Sequence, residues 1–400
     1  MTVNTAAVGN PTHRKERDEW GIQRLPPVGF LSQLLSNRIK EFAREAGFEL
    51  CGIAAVREFG ELRVFPSWIA EGRHGEMKYM EARNEAGELK RERLANAAPW
   101  ARSVIACAIN YNTAEAYSTQ VDASESAGTG WISRYAWSRE DYHDAVMRRL
   151  RAVEGRLREA LTSDDEGRWA GAEFQSRAYV DTGPLVERVY AKYAGIGWIG
   201  KNTCIINQKI GSWIFLGVIL TSVEVGGEYA ADLAAPDRCG TCTRCIAACP
   251  THAIVAPGEL DARLCISYLT IEKRGDIAEE LRAGVGRHVF GCDICQDVCP
   301  WNRKAPVTAA EEFEARAGLV NPRLEWLAAM GAEEFRAVFR GSPVARAKLS
   351  GLRRNAVIAM GNSGDAKFAA ALRELAEDGD AVVAAHARWA VKRLEIKTAS

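Results

Sequence analysis

Eight of the eleven cysteines fall between positions 239 and 299, in a spacing that suits iron–sulfur chemistry. Cys239, Cys242, Cys245 and Cys249, with Pro250 behind them, form a C-x2-C-x2-C-x3-C-P run. The first three thiolates of such a run wrap one face of a [4Fe–4S] cubane, and the fourth is turned away to ligate a second cluster where there is one. The run returns incompletely as Cys292, Cys295 and Cys299, ahead of Pro300. A complete second run needs a thiol at position 289, which is Val289, and Cys265 between the runs is the nearest replacement. Crossing the fourth ligands places Cys239, Cys242, Cys245 and Cys299 on one cluster. Cys249, Cys265, Cys292 and Cys295 then take the other. Two structural zinc sites are the competing reading, since paired C-x2-C spacing suits zinc as well. The third Cys of the first run and the Cys-Pro ending of both favour clusters.

Three other stretches carry polar chemistry. Asp181, in Val180-Asp-Thr-Gly-Pro184, is expected at the carboxyl end of a strand, where open α/β sheets place ligands. Its two readings are a turn-ordering carboxylate and a general acid whose pKa is raised by burial. Pro184 is expected to open a helix with Gly183 as its cap. Gly195-Ile-Gly-Trp-Ile-Gly-Lys201 matches both G-x-G-x-x-G and G-x4-G-K. A dinucleotide site needs a strand before the glycines and a helix after them, and here the order is reversed. A P-loop needs Ser or Thr at position 202, which is Asn202. Close backbone approach, to a strand or to a large ligand, explains the glycines better. Arg134 to His143 is dense in arginine and aromatic residues. It reads either as a helix N-terminus, with Ser138 as cap and Asp141 completing a capping box, or as the wall of an aromatic ligand pocket. The six histidines are scattered, with no zinc or Ser/His/Asp arrangement.

The elements that must position these residues follow from periodicity. Leu31 to Gly47 and Asp141 to Leu161 have helical apolar stripes, the second through Tyr142, Val146, Leu150, Val153, Leu157 and Leu161. Arg57 to Arg93 reads as mostly helical, broken around Gly72 and Gly75. Leu50 to Val56, Ser103 to Asn110, Ala178 to Val180, Thr203 to Ile206 and Ser212 to Val223 read as strands, the second of them central and the last two flanking a turn at Gly211. Residues 31–235 are thus expected to form an α/β (α+β) domain. Residues 236–305 form a two-cluster, bacterial-ferredoxin-like domain that is poor in regular core. Residues 306–400 are helical, and similar segments at Asn355-Ala-Val-Ile-Ala-Met-Gly and His386-Ala-Arg-Trp-Ala-Val-Lys suggest a HEAT-like repeat region. Residues 1–30 are expected to be a disordered tail, and Thr113 to Gly130 a surface insertion.

Composition narrows the class. The net charge is zero and the charged fraction 26%, so no global basic field advertises nucleic acid or membrane, and any such site is local. No export signal and no bilayer-length apolar run is visible, and reduced thiolates point to the cytoplasm. Cys51, Cys107 and Cys204 lie in apolar surroundings and read as buried packing.

The order of these features resembles the epoxyqueuosine reductase family. The resemblance is carried by Arg134-Tyr-Ala-Trp, Asp141-Tyr-His143, Val180-Asp-Thr-Gly-Pro-Leu, Ala194 to Asn202, Gly240 to Ala253, Cys265-Ile-Ser-Tyr-Leu-Thr270 and Gly291 to Trp301. It implies a cytoplasmic, monomeric enzyme with two [4Fe–4S] clusters and cobalamin (vitamin B12) in the α/β domain. The enzyme reduces epoxyqueuosine to queuosine at the wobble position of tRNA, using an external low-potential electron donor and no membrane. It implies Asp181 as general acid, buried under corrin and substrate. It implies corrin contacts at Arg91, Ser133, Ile205, Leu216 and Ser267, with Asp293 and Ile294 beside the cofactor. Lys273, Arg274, Arg353 and Arg354 are candidates for tRNA phosphates. The competing readings are another corrinoid iron–sulfur reductase, of the reductive dehalogenase kind, and a non-enzymatic electron-transfer protein.

Overall fold

The computed structural model describes residues 28–121, 128–162, 174–225 and 232–399. The expected tail lies outside them except for its last three residues, which begin the Val28–Glu45 helix. Part of the expected insertion also lies outside. The strands among the described residues are β1 (Leu50–Ala55), β2 (Ser103–Asn110), β3 (Trp131–Ile132), β4 (Ser176–Tyr179), β5 (Trp198–Ile199), β6 (Ile205–Ile206), β7 (Ile214–Thr221), β8 (Ile254–Ala256), β9 (Glu259–Leu260) and β10 (His288–Phe290).

Four of these make one sheet, in the order β1-β2-β7-β4, antiparallel at every pairing. All eight residues of β2 are buried, as a strand covered on both faces requires. Val104, Ala106 and Ala108 face one core, and Ile105, Cys107 and Ile109 the other, the period-2 alternation of a pleated strand. The helices Val28–Glu45 and Tyr142–Thr162 cover the second face, with all six expected stripe residues of the latter buried. The short Glu187–Tyr193 helix covers the first.

Several expectations are corrected. Helices alternate with strands, yet the sheet is antiparallel, so the rule that puts ligands at strand carboxyl ends in parallel sheets does not place Asp181. Apolar periodicity reports element type, while strand direction depends on where each connection delivers the chain. Arg57 to Arg93 holds one six-residue α-helix, Phe65–Ala70, among 3-10 turns. Gly72, Gly75 and Gly87 all take positive φ, which breaks the helical path. The helix after Asp181 starts at Glu187, with Val186 as its cap, and not at Pro184. The cap of the Tyr142 helix is Asp141, whose Oδ1 accepts the His143 N–H at 3.0 Å, and not Ser138. β6 pairs with β5, not with β7.

The expected boundaries at 235 and 305 do not divide the core. β3 pairs in parallel with β10, and both are covered by the C-terminal helices in one cluster holding Trp131, Trp137, Phe290, Leu352 and Met360. The Lys348–Ser363 and Ala381–Ala399 helices close tightly where a Cβ on Gly361 would lie 2.7 Å from that of Ala390. The two similar segments each tie down a cluster-domain loop. Asn355 Nδ2 donates to the Thr270 and Val289 carbonyls, both at 2.8 Å. His386 Nε2 accepts the Ile277 N–H at 3.2 Å while its Nδ1 donates to the Val382 carbonyl at 2.7 Å.

That arrangement has a pH consequence. Burial lowers both His386 and His288 to about 4. Between about 4 and the unfolded value near 6.5 the unfolded chain binds the extra protons, so stability falls as pH drops through that window. The loss amounts to about 3 kcal/mol per histidine at the most, from 1.36 kcal/mol per pKa unit. Urea midpoints taken from pH 7 to pH 5 should therefore decline, and the slope should flatten in His386→Gln. An equal slope in the variant refutes the assignment.

Candidate active site and cluster sites

The eight thiols come together as two groups. Cys299 lies within electrostatic reach of Cys239 and Cys245, and Cys245 of Cys239 and Cys242. Cys292 lies by Cys249 and Cys265, and Cys295 by Cys265 and Cys292. Burial and neighbouring sulfurs push the Cys245, Cys265, Cys292 and Cys299 thiols up, Cys299 to about 11. Among the described residues no three His, Cys, Asp or Glu side chains are spaced for a single metal ion.

Buried polar side chains fix the loops that carry these thiols. Asp293, between Cys292 and Ile294, accepts from Trp131 Nε1 at 3.0 Å, from the Arg134 N–H at 2.8 Å and from Ser133 Oγ. Gln296 Nε2 donates to the Ser212 carbonyl at 2.9 Å, and Asn302 Oδ1 accepts the Ser212 N–H at 2.7 Å. The second run is in this way bolted to the start of β7 and to the turn after β3. The Arg134 guanidinium is buried, donates to the carbonyls of Thr113, Glu115 and Ala116, and lies over Trp137 and Trp213. Arg134 thus anchors the backbone where the expected surface insertion begins, while Ala114, Glu115 and Ala116 themselves are exposed.

Asp181 occupies a strained turn. Its φ is +60°, and the Thr182 N–H donates to the Val180 carbonyl at 2.6 Å, a γ-turn of the positive-φ kind. A non-glycine residue held there costs about 1–3 kcal/mol and marks a position whose direction matters. Tyr142 Oη donates to Asp181 Oδ2 at 2.5 Å, and the Asp181 N–H donates to Glu187 Oε1 at 2.8 Å. Burial and the Asp181 charge push Tyr142 well above the usual phenol range, so it stays a donor. The same two causes raise Glu187 well above the carboxylate range. Arg91 ties the turn in place, donating to the Gly183 carbonyl at 2.9 Å and the Tyr79 carbonyl at 2.7 Å. Asp181 itself is exposed.

From Asp181 an aromatic wall leads toward the second thiol group. Tyr142 stacks on Phe215 at 4.3 Å and meets Tyr135 edge-on at 5.9 Å. The Tyr135 hydroxyl lies within electrostatic reach of both Asp181 and Asp293. Leu216 and Ile294 are half-buried, Ile205 is buried against the sheet, and Ser267 contacts the Cys265 thiol. Ser133 and Asp293 are buried, with their polar atoms paired to each other. Leu216 and Ile294 offer partly exposed apolar surface and Ser267 a hydroxyl, side chains that could border a flat macrocycle. His74 and His143 are engaged by Glu81 and Asp141, and His288 by the Val285 carbonyl.

The basic residues expected to meet phosphate are largely committed elsewhere. Arg354 is buried, donating to the carbonyls of Leu269, Lys273 and Gly275. Arg353 is paired with Asp378 at 2.6 Å, and Lys273 with Glu76 at 2.5 Å. Only Arg274 of the four is exposed, and it too binds the Ile271 and Arg346 carbonyls. Arg354→Ala should accordingly destabilise the fold by about 3 kcal/mol, through stranded buried carbonyls, read as a lowered urea midpoint. An unchanged midpoint is the contrary result.

Two residues in these sites were not legible as such. Tyr142 read as one more stripe position, although its place in Asp141-Tyr-His was a signal. Cys204, read as packing, lies in hydrogen-bond contact with the Cys295 thiol. The glycines of Gly195–Gly200 do serve close approach to a strand, since a Cβ on Gly197 would lie 2.3 Å from the Ile206 carbonyl oxygen.

Comparison with known proteins adds independent information. Residues 91–182 match the family model for epoxyqueuosine reductase QueG, and residues 238–302 the model for a 4Fe-4S double cluster binding domain. The chain is 39% identical over 359 residues to the epoxyqueuosine reductase of Xanthomonas campestris pv. campestris, covering 88% of this chain and 94% of that one. It is 38% identical over 361 residues to that of Pseudomonas aeruginosa, covering 90% and 94%. Among solved structures it is similar to an epoxyqueuosine reductase with an epoxyqueuosine-modified tRNA-Tyr stem loop, at 28% identity and a TM-score of 0.75, with 91% of each chain covered. At 27% identity, the same TM-score and the same coverage, it is similar to the Bacillus subtilis enzyme with its catalytic aspartate loop swung out of the active site.

Proposed function

The chain belongs to the epoxyqueuosine reductase family, and from that premise we propose that it reduces epoxyqueuosine to queuosine in the anticodon loop of tRNA, with Asp181 as the general acid. It is an oxidoreductase with a 4Fe-4S double cluster domain. Removing the epoxide oxygen as water takes two electrons and two protons. The reading is carried by one observation: an exposed carboxylate on a strained turn, gripped by Tyr142, at the end of a wall that runs to the second thiol group. When bound, cobalamin supplies strongly reducing chemistry at carbon, and two [4Fe–4S] clusters, crossed as the thiol groups suggest, supply its electrons singly from an external low-potential donor.

The chain's own residues divide the remaining work. Arg91, Ile205, Leu216, Ser267 and Ile294 are the residues that would border the corrin, with Ser133 and Asp293 shaping the loop beneath it. Asp181 delivers a proton to the departing oxygen. Tyr142, kept as a phenol, donates to one carboxyl oxygen and so leaves the other to carry that proton toward the substrate. Glu187 and Arg91 fix the turn from the backbone side. The C-terminal helices form the HEAT-like part of this reading. Among the described residues no helix is long and apolar enough to cross a membrane, and the enzyme is proposed to act as a cytoplasmic monomer.

Nucleoside mass spectrometry tests the whole reading. Epoxyqueuosine-containing tRNA is incubated anaerobically with reconstituted protein and a low-potential reductant, with and without cobalamin. Cobalamin-dependent loss of one oxygen from the base is the expected result. Unchanged nucleoside, from protein holding both clusters and cobalamin, refutes the substrate.

A further inference from the structure

The glycine-rich segment Gly195–Asn202 has no role in the chemistry at Asp181, and it packs toward the cluster domain. Gly195 takes φ +74°, and Gly197 has no room for a side chain, so glycine is what lets β5 close on β6. The resulting two-residue pairing, Trp198 on Ile206 and Ile199 on Ile205, fixes the direction of the Trp198 indole. Its Nε1–H donates to Cys239 Sγ at 3.4 Å. The ring meets Trp301 edge-on, centroids 5.1 Å apart at 76°, in a small apolar cluster with Ile206 and Cys299. Lys201 Nζ donates to the Gly240 carbonyl at 2.7 Å, and Asn202 Nδ2 to the Cys295 carbonyl at 3.2 Å. The segment thus reaches the backbone of both thiol groups and the sulfur of one.

We propose that Trp198 sets the reduction potential of the cluster held by Cys239, Cys242, Cys245 and Cys299, through its indole N–H···S hydrogen bond to Cys239. Trp198 is then a positioning residue for electron delivery, and the assignment rests on the two-cluster reading above. Reduction adds one negative charge to a cluster, shared with its thiolate sulfurs. A donor aimed at a sulfur stabilises the reduced form more than the oxidised form and raises the potential. The surrounding indoles act in the opposite sense by excluding water from the charge. Phenylalanine at 198 keeps a ring against Trp301 and removes only the donor, so it isolates the hydrogen bond. Lys201 and Asn202 bind carbonyls and hold the segment without touching a sulfur.

The test is an anaerobic redox titration of holoprotein, with both clusters followed by electron paramagnetic resonance. In Trp198→Phe the reduced-to-oxidised ratio of the first cluster at a fixed solution potential should fall about tenfold, a shift of about 59 mV for a one-electron couple. The second cluster should not move. An unmoved first cluster, or an equal shift of both, overturns the proposal. Should the variant lose iron, wild-type protein carrying 15N in its tryptophan indoles decides the matter. A 15N coupling on the reduced first cluster supports the hydrogen bond, and its absence overturns it. Protein without any [4Fe–4S] signal overturns the two-cluster reading itself, and this inference with it.

Discussion

Asp181→Asn should retain the iron content of the parent enzyme and lose turnover by a factor of about 10²–10⁴, the range that a positioned general acid contributes. Asparagine preserves the size of the side chain and can accept from Tyr142 Oη, so the turn at Asp181 should survive. What it lacks is an acidic proton. Tyr142→Phe removes the donor but not the acid, and a smaller loss of about tenfold is expected from one charge-assisted hydrogen bond. The two variants separate proton donation from mere ordering of the turn. If Asp181 only ordered the turn, the asparagine variant would keep full activity, and Glu187, the other carboxyl beside it, would be the next candidate. Single-turnover assays with prereduced enzyme make this comparison cleanly, since they remove electron delivery from the measured rate.

The second large effect concerns the cysteines that belong to one run by sequence and to the other by space. Cys249→Ala should remove the cluster shared with Cys265, Cys292 and Cys295, leaving about four of about eight iron atoms. Cys299→Ala should remove the opposite cluster. Uncrossed ligation predicts the reverse for both variants. The spectra of the two partly loaded proteins, compared with Cys265→Ala and Cys239→Ala, decide between the schemes. The first-cluster variants should resemble each other, and so should the second-cluster variants. Each loss should also cost several kcal/mol of stability, because metal binding in this segment is folding energy. Tm should fall in all four, and an unchanged Tm in protein lacking a cluster would contradict that role.

Much of this was legible in the chain. The C-x2-C-x2-C-x3-C-P spacing is local geometry, so it spoke without a fold. The stripe from Tyr142 to Leu161 and the continuous apolar run of β2 were equally plain, since burial on one or both faces imposes a period. The neighbourhood of Asp181 was visible as a motif, because an Asp before Thr-Gly-Pro can only be a turn. What the motif did not contain was the turn's sign or its partners. Tyr142 lies 39 positions away, and its phenol reaches Asp181 only because its helix packs over the end of β7.

The chain's residue types and spacings, by themselves, determined that the cysteine-rich stretch from 239 to 299 is a cluster-binding segment and that a central strand is buried on both faces. These are properties of neighbours along the backbone, within reach of one turn, one strand or one loop. Tertiary structure alone decided that the sheet is antiparallel. It also committed Arg353 and Arg354 to internal partners and aimed Trp198 at a sulfur. Each of those depends on where a connection returns the chain, and hence on contacts tens to hundreds of residues apart. Periodicity carries no information at that range. Only the packing of the whole core does.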